Sequence, residues 1–307
     1  MLQKLRDSSN IAGYVKHVEN LEKICQSLSI RFHELFTKLP GKILITYHRH
    51  GYLPASIMYW FVTTMDPDKN VVFNEANALT YYILPYHEQG GIVFFSSNPY
   101  SSSTINLLQT SRLTGYESVL VTLKPRDERV ANILSHYNVI YVDLDDELEA
   151  TLVTTISVYY ALSKVYSGRL GSRGARLHSH AREGLSPIVE ELIDKYIDKL
   201  EHIVRGKKWF VTSSKLLEPV SMYLVDVLRR LEIKAYYQPP EQIPGYENVL
   251  LLSTSVEEHL ARELKFKYNV MGAALEDLTL NTDPLEAQVY IALLAYYLVY
   301  SLGGKEK

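Results

Sequence analysis

Five of the nine residues from 96 to 104 are serine and the last is threonine: Ser96, Ser97, Ser101, Ser102, Ser103 and Thr104. Such a stretch can handle phosphate. Rotatable hydroxyls supply donors to phosphate oxygens. A helix starting beside them adds unpaired N–H groups and the positive end of a dipole. Together they would hold a phosphate monoester without lysine or arginine. The plain alternative is an N-cap cluster at 101–104, since Ser and Thr favour that position. A second group, His48, Arg49, His50, Gly51 and Tyr52, follows the run KILITY. It stands at the C-terminal end of an expected parallel strand, where open α/β sheets bind ligands. Arg49 or His50 would there meet a phosphate or a sugar, or else the loop simply faces water. The acidic run DLDDELE, 143–149, offers oxygen ligands of the kind magnesium takes. Carboxylates are also favoured at the start of a helix, and that is the reading adopted; no metal and no cofactor is expected. Residues 167–187 carry Arg169, Arg173, Arg176, Arg182, His178 and His180. They are either a solvated connection or an arm whose guanidinium groups close on an anion.

Elements must hold these groups in place. Ile92 to Phe95, after Gly90 and Gly91, suit a buried parallel strand. Ile105, Leu107, Leu108, Ser111 and Leu113 mark the helix behind the serine loop, ending near Gly115, and 118–122 is the next strand. Before them, residues 1–40 are helical, with Leu21, Ile24, Cys25, Leu28 and Phe32 on one apolar face and Pro40-Gly41 as the stop. Further helices are expected at 53–61, 128–137 and 150–165, strands at 70–74 and 139–142, and a helix or turn at 76–84. The glycine- and arginine-rich stretch 167–187 is expected as a linker. Beyond it the plan repeats at lower fidelity: helices at 188–203, 218–231, 256–266 and 285–302, strands at 207–212, 233–237, 249–253 and 268–272. Alternating strands and helices imply parallel sheets covered on both faces. The expected division is a helical segment 1–40, a first domain 41–166, the linker 167–187 and a second domain 188–307.

A formal charge of −3 argues against a general nucleic-acid binder. Cys25 is the only cysteine, which excludes an internal disulfide and a multi-cysteine metal site and fits a reducing cytosol. The opening MLQKLRDSSN lacks the apolar core of a signal peptide. The apolar run 291–302 is shorter than a bilayer span. A cytoplasmic protein with no membrane segment and no nucleic-acid partner is expected.

The stretch 90–122 resembles the phosphosugar-binding segment of sugar isomerase (SIS) domains, where a strand leads into a Ser-x-Ser-Gly-x-Thr loop and a helix. Thr104 matches the family threonine and Ser101 the serine before the glycine, whose place Ser102 takes. The loop is longer by two or three residues, through Asn98, Pro99 and Tyr100. Of the family's first loop, Gly-x-Gly-x-Ser, Gly51 remains. The helix 150–165 is similar to the one that closes a SIS domain, where a Glu and then a Thr approach the sugar; Glu149 with Thr154 or Thr155 are the counterparts. Two such halves in one chain resemble the archaeal bifunctional phosphoglucose/phosphomannose isomerases over residues 40–300. The resemblance implies two doubly wound parallel sheets flanked by helices, as flavodoxin-like three-layer sandwiches. It implies a homodimer and a phosphosugar ligand held by Ser96, Ser101, Ser102, Ser103, Thr104, Arg49, His50, Gly51 and Glu149. A thermophilic source fits the 24 tyrosines.

The chemistry implied by the resemblance is aldose–ketose isomerisation, with a carboxylate base and often a His acid for ring opening. The family's base segment falls on 228–233, where Glu232 is the carboxylate. Its His segment falls on 240–248, which holds Glu241 but no His. Either glutamate would be the base, and His48, His50, His178 or His180 the acid. The family's C-terminal lysine segment is expected to be truncated, since the last helix is followed only by Gly303-Gly304-Lys305-Glu306-Lys307. With these departures the expectation is a phosphosugar-binding protein. An active isomerase interconverting glucose 6-phosphate or mannose 6-phosphate with fructose 6-phosphate is the alternative, and a non-catalytic interaction protein the third reading.

Overall fold

The computed structural model describes residues 2–86 and 90–303; Lys305 and Lys307 lie outside the described residues. The chain divides into two compact units, a central one, Glu22–Glu183, and a terminal one made of Met1–Leu21 with Gly184–Lys307. The boundary at 183/184 falls within the stretch expected to link two halves.

The first helix, α1 (Ser8–Thr37), starts in the terminal unit and ends in the central one. In the central unit there follow β1 (Lys42–His48), α2 (Tyr52–Met65), β2 (Asn70–Glu75), a helical turn α3 (Ala76–Ala78) continued to Tyr86, β3 (Gly91–Ser96) and α4 (Ser102–Leu113). Then come β4 (Glu117–Leu123), α5 (Glu128–Leu134), β5 (Asn138–Val142), α6 (Glu147–Val165) and α7 (Ser172–Glu183). The five strands are all parallel, in the order β2-β1-β3-β4-β5. Strands covered on both faces bury alternate side chains to opposite sides, which is why Ile92 to Phe95 read as one apolar run. Leu44, Ile92, Phe94 and Leu120 pack with Leu79, Leu107, Leu108 and Leu134 on one face. On the other face the Phe95 ring meets Phe32 of α1 at 6.4 Å. The Phe61 ring of α2 meets Tyr159 of α6 at 5.9 Å, and the Cys25 thiol donates to the Val153 carbonyl at 3.6 Å. This is the expected three-layer sandwich.

The acidic run 143–149 opens α6: the Asp146 carboxylate accepts from the Glu149 N–H at 2.9 Å, a helix cap. The linker expectation needs correcting, because α7 fills most of 167–187. Its apolar content is low, yet Leu177 is buried and its carbonyl accepts from the Tyr159 hydroxyl at 3.2 Å. Gly174 permits the close turn, since a Cβ there would lie 2.2 Å from the Arg169 carbonyl oxygen.

In the terminal unit, α8 (Ser186–Arg205), β6 (Lys208–Ser213), α9 (Glu218–Arg230), β7 (Lys234–Tyr237), β8 (Asn248–Thr254), α10 (Glu258–Val270), β9 (Ala274–Leu280) and α11 (Pro284–Leu302) build a parallel sheet in the order β7-β6-β8-β9. The strand expected at 268–272 is the end of α10 and its turn. In it Tyr268 is buried, while Val270, like Phe266 before it, is exposed. Gly272, at φ +69°, ends the helix in the left-handed region glycine tolerates. The real strand, β9, was hidden by Glu276 and Asp277. Lys199 holds the first at 2.6 Å and Lys265 the second at 3.0 Å.

Helix α11 is 19 residues long and apolar enough to cross a membrane, longer than the run noted in the sequence, but most of it is buried within the protein. Its apolarity serves core packing. It also repeats α6. Asp146, Leu148, Glu149, Ala150, Tyr159 and Tyr160 recur in the same register as Asp283, Leu285, Glu286, Ala287, Tyr296 and Tyr297. Both aspartates cap their helices. That shared pattern is an internal repeat visible in the sequence.

Candidate functional site

In a parallel sheet of order 2-1-3-4-5, the chain winds opposite ways from β1 and β3, and the crevice opens between their C-terminal ends. Here His48 of β1 is in register with Ser96 of β3. A narrow cleft opens at this edge, lined among others by His50, Gly51, Ser96, Ser97, Thr122 and Thr154. Two backbone features shape it. Arg49 has φ +52°, a left-handed conformation that costs a non-glycine residue roughly 1–2 kcal/mol. Gly51 is pressed against the end of β3, where a Cβ would lie 2.1 Å from the Phe95 oxygen.

The serine-rich loop largely bonds to itself. The Ser96 and Thr104 hydroxyls and the Asn98 carbonyl form a triangle of 2.8, 3.0 and 3.1 Å. Ser96 and Thr104 are buried. Ser101 is the N-cap of α4, its hydroxyl accepting from the Ser103 N–H at 3.2 Å. Ser102 is exposed and Ser103 half-buried. At the start of α4 their side chains are left to turn toward a ligand. The loop is also tied to its neighbour: the Arg126 N–H donates to the Tyr100 hydroxyl at 2.7 Å.

Two hydroxyls in the cleft wall are buried without a hydrogen-bond partner: Ser97 Oγ and Thr122 Oγ1. A buried hydroxyl left so costs about 1–3 kcal/mol against one that is paired. Thr151, Thr154 and Thr155 are instead satisfied by carbonyls one turn back, each at 2.7 Å. At the mouth the His50 Nε2 lies 3.5 Å from the Glu147 carboxylate in the first turn of α6. Burial, reinforced by Arg49, holds the His48 imidazole below its ordinary pKa, against the opposing pull of Glu75 and Glu147.

No protein-family model matches this chain, and no curated protein does. Solved structures do. The C-terminal domain of glucosamine-fructose-6-phosphate aminotransferase from Francisella tularensis superposes with a TM-score of 0.63, 11% identity, and 96% of each chain covered. Glucosamine-6-phosphate deaminase from Thermotoga maritima gives 0.59 at 12% identity, over 96% of this chain and 95% of that one. Tagatose-6-phosphate ketose/aldose isomerase from Escherichia coli gives 0.57 at 11% identity, over 99% and 94%. The chain has the double-SIS fold. At such identities the likeness is one of fold.

Within this SIS fold the residues singled out from sequence fall into three groups. His50, Gly51 and Ser96 line the cleft. Arg49, exposed, adjoins it in sequence, and Ser101, Ser102, Ser103 and Thr104 stand on the loop that leaves it. Glu149 is half-buried in the first turn of α6. Apart from His50, the residues expected to be catalytic are not among those lining the cleft. His178 is on α7, with a buried Nδ1 that has no partner. Glu232 lies in the exposed turn before β7, at φ +62°. Glu241 lies in the exposed turn after β7, so the two glutamates stand at opposite ends of that strand.

The terminal SIS unit also treats its corresponding helix start differently. After β8 the Glu257 carboxylate accepts from the Thr254 N–H at 3.2 Å and the Thr254 hydroxyl at 3.0 Å. A carboxylate thus occupies the place an anionic ligand would take. Sequence reading did not single out Ser97 within the serine stretch or Glu147 within the acidic run, and it passed over Thr122 and Thr151. For Glu147, its place in the acidic run 143–149 was the available signal. Among the described residues no group of three or more His, Cys, Asp or Glu is placed to hold a metal ion.

Proposed function

We propose that this chain binds a phosphosugar in the cleft of its central unit. The observation that carries this is the pair of buried, unpartnered hydroxyls, Ser97 and Thr122, in the cleft at the β1/β3 switch point. They supply hydrogen bonds to sugar oxygens, while Ser102, Ser103 and the start of α4 take the phosphate. The solved structures of like fold, named for enzymes of sugar 6-phosphates, support the ligand class. The test is calorimetric titration with fructose 6-phosphate, beside fructose and inorganic phosphate alone. Binding to the phosphosugar that falls at least tenfold in Ser102→Ala/Ser103→Ala and in Thr122→Val supports the site. Unchanged affinity in both variants removes it.

A second reading, turnover by isomerisation, rests on the His50–Glu147 pair. A carboxylate that moves a proton between C1 and C2, beside an imidazole that protonates the ring oxygen for opening, is the minimum machinery. A coupled assay with fructose 6-phosphate tests it: turnover that survives Glu147→Gln assigns the base elsewhere, and Glu232→Gln and Glu241→Gln then test the alternatives. The reading further holds the protein to be a cytoplasmic homodimer, which light scattering checks in solution.

A further inference from the structure

The two loops beside the cleft carry a cation that nothing in the serine loop requires. β4 and β5 each end in the cleft wall, at Leu123 and Val142. The Lys124 N–H donates to the Val142 carbonyl at 3.3 Å, so the two strands leave the wall together. Shortly beyond, Arg126 and Asp145 pair across the gap at 2.5 Å, with both side chains largely exposed. The backbone of Arg126 is fixed independently, by its N–H to the Tyr100 hydroxyl of the serine loop. The guanidinium therefore stands on a tethered residue, beside the loop that leads into α4. Its counter-ion is a surface carboxylate that holds it weakly.

We propose that Arg126 is the phosphate clamp of the site and that Asp145 is its resting partner, displaced when the ligand's phosphate arrives. The proposal rests on the phosphosugar reading of the cleft. A guanidinium matches a phosphate with two parallel hydrogen bonds, whereas an isolated serine hydroxyl offers one donor. The exchange breaks one exposed ion pair and forms a doubly hydrogen-bonded one to a dianion. Asp145, once released, is fully hydrated. Because Asp145 competes with the ligand, removing it frees the clamp, and the two members of the pair act in opposite directions.

Calorimetric titration of the full chain with fructose 6-phosphate and with inorganic phosphate tests this, using Arg126→Gln, Asp145→Asn and the double variant. Arg126→Gln keeps the N–H that holds Tyr100, and both side chains are exposed, so the fold is expected to survive; circular dichroism checks it. The expected results are a loss of about tenfold for Arg126→Gln and a gain of about two- to fivefold for Asp145→Asn, with no gain in the double variant. A gain that persists without Arg126 is a general charge effect and overturns the exchange. Fructose 6-phosphate binding by the wild type that Arg126→Gln leaves unchanged overturns the clamp alone. A wild type that binds neither probe overturns both the clamp and the reading on which it rests.

Discussion

Thr104→Val separates a ligand-binding threonine from a structural one. The Thr104 side chain is fully buried, and its hydroxyl lies 2.8 Å from Ser96 Oγ and 3.0 Å from the Asn98 carbonyl. Valine has the same shape, so the change opens no cavity, and the cost is that of the hydrogen bonds. One to two buried bonds at about 1 kcal/mol each give a loss of about 1–2 kcal/mol. With a urea slope of about 2 kcal/mol per molar, the midpoint falls by about 0.5–1 M. Ser96→Ala should cost a similar amount. The double variant should cost less than the two together by about 1 kcal/mol, because the Ser96–Thr104 bond is lost once. Unfolding followed by circular dichroism reads the cycle, and titration with fructose 6-phosphate on the same samples reads binding. The expectation is lowered stability with affinity changed by less than about threefold. An unmoved midpoint with binding abolished would refute the reasoning, since Thr104 would then face the ligand.

Gly51→Ala should cost about 3 kcal/mol, the upper end for overpacking, because the added carbon meets the Phe95 oxygen at 2.1 Å and a backbone cannot step aside as a side chain can; thermal unfolding measures it. Thr122→Val, which replaces an unpartnered buried hydroxyl with a methyl of the same shape, should leave stability unchanged or raise it by up to about 1 kcal/mol. The same change weakens phosphosugar binding, so stability and affinity move apart. The pH dependence follows from His48, whose folded pKa lies below the usual 6.5 mainly through burial. Between the two values the unfolded chain binds more protons, so stability is lost as the pH falls through 6.5 and is unaffected above it. His48→Gln should make that part of a urea-midpoint profile taken from pH 8 to 5 shallower, the remainder resting with His33, whose pKa burial also lowers.

The central sheet was legible because parallel strands buried on both faces leave continuous apolar runs such as Ile92 to Phe95, and because serines and prolines mark where those runs stop. β9 was not, because Glu276 and Asp277 are tolerated there only through lysines on other helices. α7 was not, because one buried leucine and a tightly packed glycine hold it rather than an apolar face. The site divides in the same way. The serine loop and the His48–Gly51 loop stand out by composition. Ser97 and Thr122 differ from the paired hydroxyls of the cleft, Ser96, Thr151 and Thr154, in having no partner, and a sequence does not record partners. The His50–Glu147 contact joins the loop after β1 to the helix after β5, a distance along the chain that no local pattern spans.

The terminal unit is made of two stretches separated by the whole of the central one. A ribosome releases them at different times. The Tyr14 hydroxyl must donate to the carbonyl of Leu293, 279 residues later. At about 5–20 residues per second, that partner is made roughly a quarter of a minute to a minute afterwards. The central unit, contiguous from Glu22 to Glu183, can meanwhile complete its sheet. About the first four turns of α1, Ser8 to Leu21, therefore wait on the emerging chain with their apolar side uncovered, and this N-terminal stretch is among the last parts of the terminal unit to find its place.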